Sequence, residues 1–155
     1  MTTKWRLGIA TARFNSLVTE RLQQAALRHI VRSGLSEADT LVREVPGSLE
    51  LPLAAQWLIN HGGVDGVICL GAVIRGESRH FDYVCQATTD GLLQVQLTTG
   101  KPIGFGVLTC DTMEQALDRA GGKHGNKGID AAAAVLEMLE LRRGLVQGRT
   151  GADRP

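Results

Sequence analysis

Between Gly63 and Arg75 the chain reads V-D-G-V-I-C-L-G-A-V-I, and its centre, Val67-Ile68-Cys69-Leu70, is the most continuous apolar run in the sequence. A strand with one wet face alternates apolar and polar residues, whereas a parallel strand covered on both faces has no need to. The run over 64–74 therefore predicts the central strand of a parallel sheet with helices on both sides.

The rest of the chain repeats that plan. Trp5–Ala10 reads as a first strand and Ser16–Gly34 as a helix, with Val18, Leu22, Ala26 and Ile30 at four-residue steps forming one apolar stripe. Thr40–Val45 is a short strand running into Pro46–Gly47. Ser48–His61 is a helix closed by Gly62–Gly63, with Pro52 in the first turn, where its missing N–H does no harm. A helix over 81–99 places Val84, Ala87, Gly91 and Val95 on one face. Pro102–Thr109 is the fourth strand. Asp111–Ala120 is a short helix capped by Asp111, Gly121–Gly128 a loop, and Ile129–Arg143 the last helix. Residues 1–143 are thus expected to form one domain, and the polar, glycine-rich residues 144–155 a frayed tail. Four strands, each followed by a helix, predict an α/β sandwich of three layers around a four-stranded parallel sheet.

Several function classes are disfavoured. The formal net charge of the 155 residues is +1, so no electrostatic pull toward nucleic acid or membrane is expected. The start, M-T-T-K-W-R, lacks the apolar core of a signal peptide, and no apolar run is long enough to span a bilayer. Cys69, Cys85 and Cys110 are an odd, widely spaced set without C-x-x-C, which reads as reduced thiols in a cytoplasmic protein. The four histidines (29, 61, 80 and 124) have no ligand spacing, so no metal is expected. Glycine is abundant, 19 residues, as expected where turns are tight or backbone approaches a ligand.

In open parallel sheets, ligands bind beyond the carboxyl ends of the strands, and the chain's unusual residues fall there. In T-A-R-F-N, Phe14 sits in a polar turn. It reads either as a hydrophobic staple for the next helix or as an exposed ring for stacking on a planar ligand. In V-P-G-S-L-E-L-P, Gly47 permits close approach, and Glu50 is either a first-turn dipole partner or a ligand contact. G-A-V-I-R-G-E-S-R-H-F-D-Y-V crowds ionisable groups behind a buried strand. Its end can offer free backbone groups, and Ser78 and the following helix N-terminus suit an anion. His80 is the one histidine at a strand's carboxyl end, fit to shuttle protons. The plainer alternative makes 78–80 a solvated cap. Last come Phe105, Arg119 and the glycine-rich basic loop G-G-K-H-G-N-K-G, which either suits phosphate or carries ordinary surface charges; no Walker pattern is present.

In order and spacing, R-F-N, V-P-G-S-L-E-L-P, G-A-V-I-R-G-E-S-R-H-F-D-Y-V, F-G-V-L-T and D-R-A-G-G-K-H-G-N-K-G closely resemble the lumazine synthase family from Leu7 to about Leu141. The resemblance implies a flavodoxin-like fold and the penultimate step of riboflavin biosynthesis. There, 5-amino-6-(D-ribitylamino)uracil condenses with 3,4-dihydroxy-2-butanone 4-phosphate, without metal or organic cofactor. It implies a homopentamer or a 60-subunit icosahedral shell with sites between neighbouring subunits, and it admits riboflavin synthase as a partner. By position, Phe14, Ser48, Leu49, Glu50, Ala72, Val73, Ile74 and Phe105 match the ribitylaminouracil contacts. Glu77, Ser78, Arg119 and Lys127 match the butanone-phosphate site, and His80 the catalytic histidine. Ser78 replaces the usual threonine and Leu49 a frequent aromatic. Arg79 and His124 stand where smaller residues are common. The competing readings are an archaeal-type riboflavin synthase on the same scaffold and a non-catalytic flavin- or phosphate-binding module.

Overall fold

The computed structural model describes residues 5–150. Four strands, β1 (Leu7–Ala12), β2 (Leu41–Val45), β3 (Gly66–Ile74) and β4 (Ile103–Cys110), form one sheet in the order β2-β1-β3-β4. Every pairing in it is parallel. The expected α/β sandwich is therefore present, with the apolar run at its centre.

β3 shows why that run does not alternate. Val67 and Cys69 belong to the core beneath α2 (Leu51–Gly62) and α3 (His80–Thr99), together with Leu51, Ala55 and Leu92. Ile68 and Leu70 turn to the opposite core beneath α1 (Ser16–Arg32) and α5 (Lys127–Thr150). Successive side chains of a strand point to opposite faces, and here both faces are dry. The stripe Val18, Leu22, Ala26 and Ile30 of α1 is fully buried, as its spacing predicts. Gly104 and Gly106 let α5 lie close on β4: a Cβ at Gly104 would stand 2.6 Å from the Ala131 carbonyl oxygen.

Several boundaries differ from the sequence reading. β1 starts at Leu7 and runs on to Ala12, because its register with β2 continues to Ala12↔Val45. Trp5 lies outside the ladder, under the Arg143 guanidinium at 5.0 Å. The segment after Gly47 opens with a 3₁₀ turn, Ser48–Glu50, before α2 begins. On α3 the buried residues are Thr88, Leu92 and Val95. Ala87 is exposed, and Gly91 faces the Pro52 ring of α2, where a Cβ would come within 2.7 Å.

The helix α4 is only Met113–Asp118, and Asp111 does not cap it. Asp111 is drawn to Arg75 instead (2.9 Å), while the Thr112 hydroxyl accepts from the Gln115 N–H at 3.1 Å. The expected loop 121–128 holds a small antiparallel hairpin, β5 (Ala120–Gly122) with β6 (Gly125–Asn126). Gly121 and Gly125 take positive φ in it, at 107° and 77°. α5 starts at Lys127 and continues past Arg143 to Thr150, into the stretch expected to fray. The helix runs through both Gly144 and Gly148, with Leu145, Val146 and Gln147 between them. Residues 151–155 of the expected tail lie outside the described residues.

Candidate active site

A cavity of about 500 Å³ opens at the carboxyl ends of the strands, between the β1–α1 turn, the segment 46–50, the end of β3 and the start of α3. Of the residues singled out in the sequence, Phe14, Ser48, Leu49, Glu50, Ala72, Val73, Ile74, Ser78 and His80 line it, joined by Pro46, Gly47, Gly76, Phe81 and Val84. Glu77 is exposed on the adjoining turn without lining the cavity.

Register creates the opening. β1 pairs with β3 only as far as Thr11↔Leu70, whereas β4 pairs with β3 all the way to Ile74↔Cys110. Beyond Leu70 the β1-side edge of β3 is thus free of a strand partner, and main-chain donors and acceptors become available at the cavity wall. One of them is already used: the Asn15 amide donates to the Ala72 carbonyl at 2.7 Å.

Asn15 was not singled out from the sequence, yet it sets the geometry of Phe14. It holds φ 64°, the one positive φ among the described non-glycine residues, a region that asparagine enters more readily than most residues. With the Phe14 N–H donating to the Pro46 carbonyl at 3.1 Å, the turn is held at both sides and the ring projects 71% exposed over the cavity. A staple would have buried it. Asparagine just ahead of a helix, in R-F-N, was the available signal.

The 46–50 wall is built just as locally. Glu50 accepts the Gly47 N–H at 2.9 Å, which closes the turn. Ser48 is buried because β3 has no side chain opposite it: any Cβ at Gly71 would collide with the Ser48 oxygen. Leu49 is 52% exposed toward the opening.

On the far wall, the His80 N–H donates to the Ser78 hydroxyl at 3.3 Å, while Arg79, at the N-cap of α3, makes no side-chain capping bond. The turn Gly76–Arg79 leads straight into the 20-residue α3, whose N-terminal amides and dipole favour an anion there. Arg75 lies just behind this turn. Its bond to Asp111, the largest influence, together with the charge of Asp82, holds its guanidinium pKa above the ordinary value despite some desolvation.

Besides Glu77, three singled-out residues do not join the cavity. Phe105, 41% exposed on β4, lines a separate hollow with Leu92, Leu93 and Gln96. Arg119 caps the end of α4 and donates to the Gln115 carbonyl at 3.0 Å. Lys127 follows at the start of α5, its N–H donating to the Arg119 carbonyl at 2.8 Å. The thiols are not poised for attack. Burial pushes Cys69 up to about 12 and also raises Cys85 and Cys110. Among the described residues no cluster of His, Cys, Asp or Glu is arranged to hold a metal ion, and no helix is long and apolar enough to cross a membrane.

Fold and cavity together define an α/β protein whose small-molecule site opens at the carboxyl ends of parallel strands. Residues 4–143 match the family described as 6,7-dimethyl-8-ribityllumazine synthase. A relative of that name from Lactiplantibacillus plantarum is 51% identical over 142 residues, covering 92% of this chain and 89% of its own. Another, from Cytophaga hutchinsonii, is 52% identical over 132 residues, covering 85% and 83%. The chain belongs to the 6,7-dimethyl-8-ribityllumazine synthase family.

Proposed function

We propose that this cavity is where 5-amino-6-(D-ribitylamino)uracil meets 3,4-dihydroxy-2-butanone 4-phosphate to give 6,7-dimethyl-8-ribityllumazine, phosphate and water. The activity is that of a lumazine synthase, an enzyme of riboflavin biosynthesis, in keeping with the family. The observation that carries the finer reading is the convergence of Phe14, the 48–50 wall, the open edge of β3 and the Ser78–His80 turn on one cavity.

In this reading the Phe14 ring stacks on the pyrimidine, and the free main-chain groups of Ala72–Ile74 read its edge. Ser48, Leu49 and Glu50 hold the ribityl-bearing side. The phosphate sits at the Gly76–Ser78 turn before the amino end of α3, with Glu77 bordering it. His80 is then next to both reactants. The amine attacks the ketone and water leaves to give an imine; phosphate is then eliminated, and the ring closes as the ribityl-bearing amine adds to the remaining carbonyl and a second water leaves. Each step moves a proton, and an imidazole can give and take it near neutral pH. Holding amine and ketone together supplies much of the rate, because the two react readily once positioned.

Phe105, Arg119 and Lys127 belong to the same chemistry only if a second copy brings them. The exposed Leu53 and Trp57 of α2 and Leu93 and Leu97 of α3 supply an apolar surface for such a copy. We therefore place the site between subunits of a homo-oligomer, a pentamer or a 60-subunit shell built of pentamers. Three unpaired thiols are consistent with a reducing, cytoplasmic setting.

The test is an assay with both substrates, read by lumazine absorbance. Product that requires both substrates is expected. Riboflavin formed from lumazine alone, or tight flavin binding without turnover, would overturn the assignment.

A further inference from the structure

Arg75, in the G-A-V-I-R-G-E-S-R-H stretch, has no role in the proposed reaction, yet it joins three elements. Its N–H donates to the Cys110 carbonyl at 2.9 Å, continuing the β3–β4 ladder by one residue. Its Nε donates to Asp111 Oδ1 at 2.9 Å, and a terminal nitrogen lies 3.7 Å from Asp82 Oδ1. The guanidinium carbon stands 4.7 Å from the centre of the Phe81 ring. One planar cation therefore joins the end of β3, the end of β4 and the first turn of α3.

The turn it brackets has little else to hold it. The hydrogen bonds of Gly76–Arg79 are local, from the His80 N–H to Ser78 and from the Asp82 and Tyr83 N–H groups to the Arg79 carbonyl. With two carboxylates and an aromatic face already engaged, Arg75 is matched in charge and is not a free phosphate ligand. Its side chain is 51% exposed and those of Asp82 and Asp111 58% and 65%, so these pairs add little to global stability. What they fix is local. Phe81 lines the cavity and His80 precedes it in the chain.

We propose that Arg75 is a positioning residue, a clamp that sets the phosphate-receiving turn and His80 against the end of β3. This rests on the proposed reaction at the cavity. Phe14, the 48–50 wall and the Ala72–Ile74 edge are tied down without Arg75, so the clamp governs one substrate and not the other.

The experiment compares wild type with Arg75→Met, Arg75→Lys and Asp111→Ala. Arg75→Met is expected to lower kcat/KM for the butanone phosphate by roughly 10–100-fold, the scale of a small misplacement of reacting groups. The KM for ribitylaminouracil should stay near its wild-type value, and the melting temperature should fall by no more than about 2–4 °C. Asp111→Ala should move the same parameters less. Arg75→Lys should recover only part of the loss, because an ammonium cannot hold a carboxylate in a planar fork and stack on a ring at once. Both Michaelis constants rising together, or kcat/KM for the butanone phosphate staying at its wild-type value, would overturn the clamp. Calorimetric titration with inorganic phosphate separates this from failure of the proposed reaction. If wild type makes no lumazine, weaker phosphate binding by Arg75→Met still supports the clamp, and equal binding refutes it.

Discussion

Two groups of residues read from the same sequence motifs behave differently in the folded chain. Phe14, Ser48, Leu49, Glu50, Ala72, Val73, Ile74, Ser78 and His80 surround one cavity. Phe105, Arg119 and Lys127 lie elsewhere, the first in a hollow of its own and the other two beside the β5–β6 hairpin. The first group is bound together by contacts within the chain: Asn15 on Ala72, Glu50 on Gly47, Ser48 against Gly71. Nothing inside one chain draws the second group toward it. In the proposed function a single chain would hold the pyrimidine wall and the proton carrier but only part of the phosphate site, and the remaining cations would come from a neighbouring copy.

The strongest way to break this contrast is to separate the groups genetically. His80→Ala should cost roughly 10²–10⁴-fold in turnover, the usual worth of a general acid–base group. Arg119→Ala should chiefly raise the KM for the butanone phosphate. Protomers of the two variants, dissociated, mixed and reassembled, should then regain activity. In a closed assembly of equally mixed subunits, roughly a quarter of the sites would pair an intact His80 with an intact Arg119. A mixture no more active than the sum of its separate components would mean that each site draws on one chain alone.

A smaller effect sharpens the same contrast within the cavity. Asn15→Ala removes the bond to the Ala72 carbonyl and puts a Cβ-bearing residue without a compensating amide at φ 64°. The KM for ribitylaminouracil should rise about three- to tenfold, the worth of one partly buried hydrogen bond. The KM for the butanone phosphate should not change. Asn15→Gly accepts the backbone angle but still lacks the amide, so it should show most of the same rise. If it behaved as wild type, backbone angle alone would be orienting Phe14.

The sequence made the frame legible because the frame is governed by burial. Val67–Leu70 announced a strand covered on two faces, and the four-residue steps of α1 announced its buried stripe. Residues whose position depends on a partner far along the chain were harder. Asp111 was read as a helix cap because the helix follows it directly; its attachment to Arg75, 36 positions away, leaves no local trace. On α3, Val95 is buried as expected, but Thr88 and Leu92 take the core places expected of Ala87 and Gly91, because Gly91 looks like a core position until Pro52 is set against it. At the site, residue types and order were readable. Which of them meet in one chain was not, because spacing along a sequence is the same whether two groups face each other or face different copies.

The first group and Phe105 of the second share one support, the β3–β4 ladder, where Cys69 stands directly opposite Phe105. A perturbation of that ladder should strike the cavity and Phe105 together. The Cys69 thiol provides one. It is fully buried, and its pKa is pushed from the ordinary 9.0 up to about 12. Between those values the folded chain keeps the proton while the unfolded chain releases it. The unfolded state therefore binds fewer protons, and stability must fall as pH rises through that window. The contribution is fully present below pH 9 and declines above it, by at most about 1.4 kcal/mol per pH unit for this single group. Urea unfolding of wild type between pH 8 and 10.5 should show this slope. Cys69→Ala, less stable at pH 8 because of the volume lost from the core, should show a shallower one. Equal slopes would remove the thiol as the cause and leave the shared ladder without an alkaline weak point.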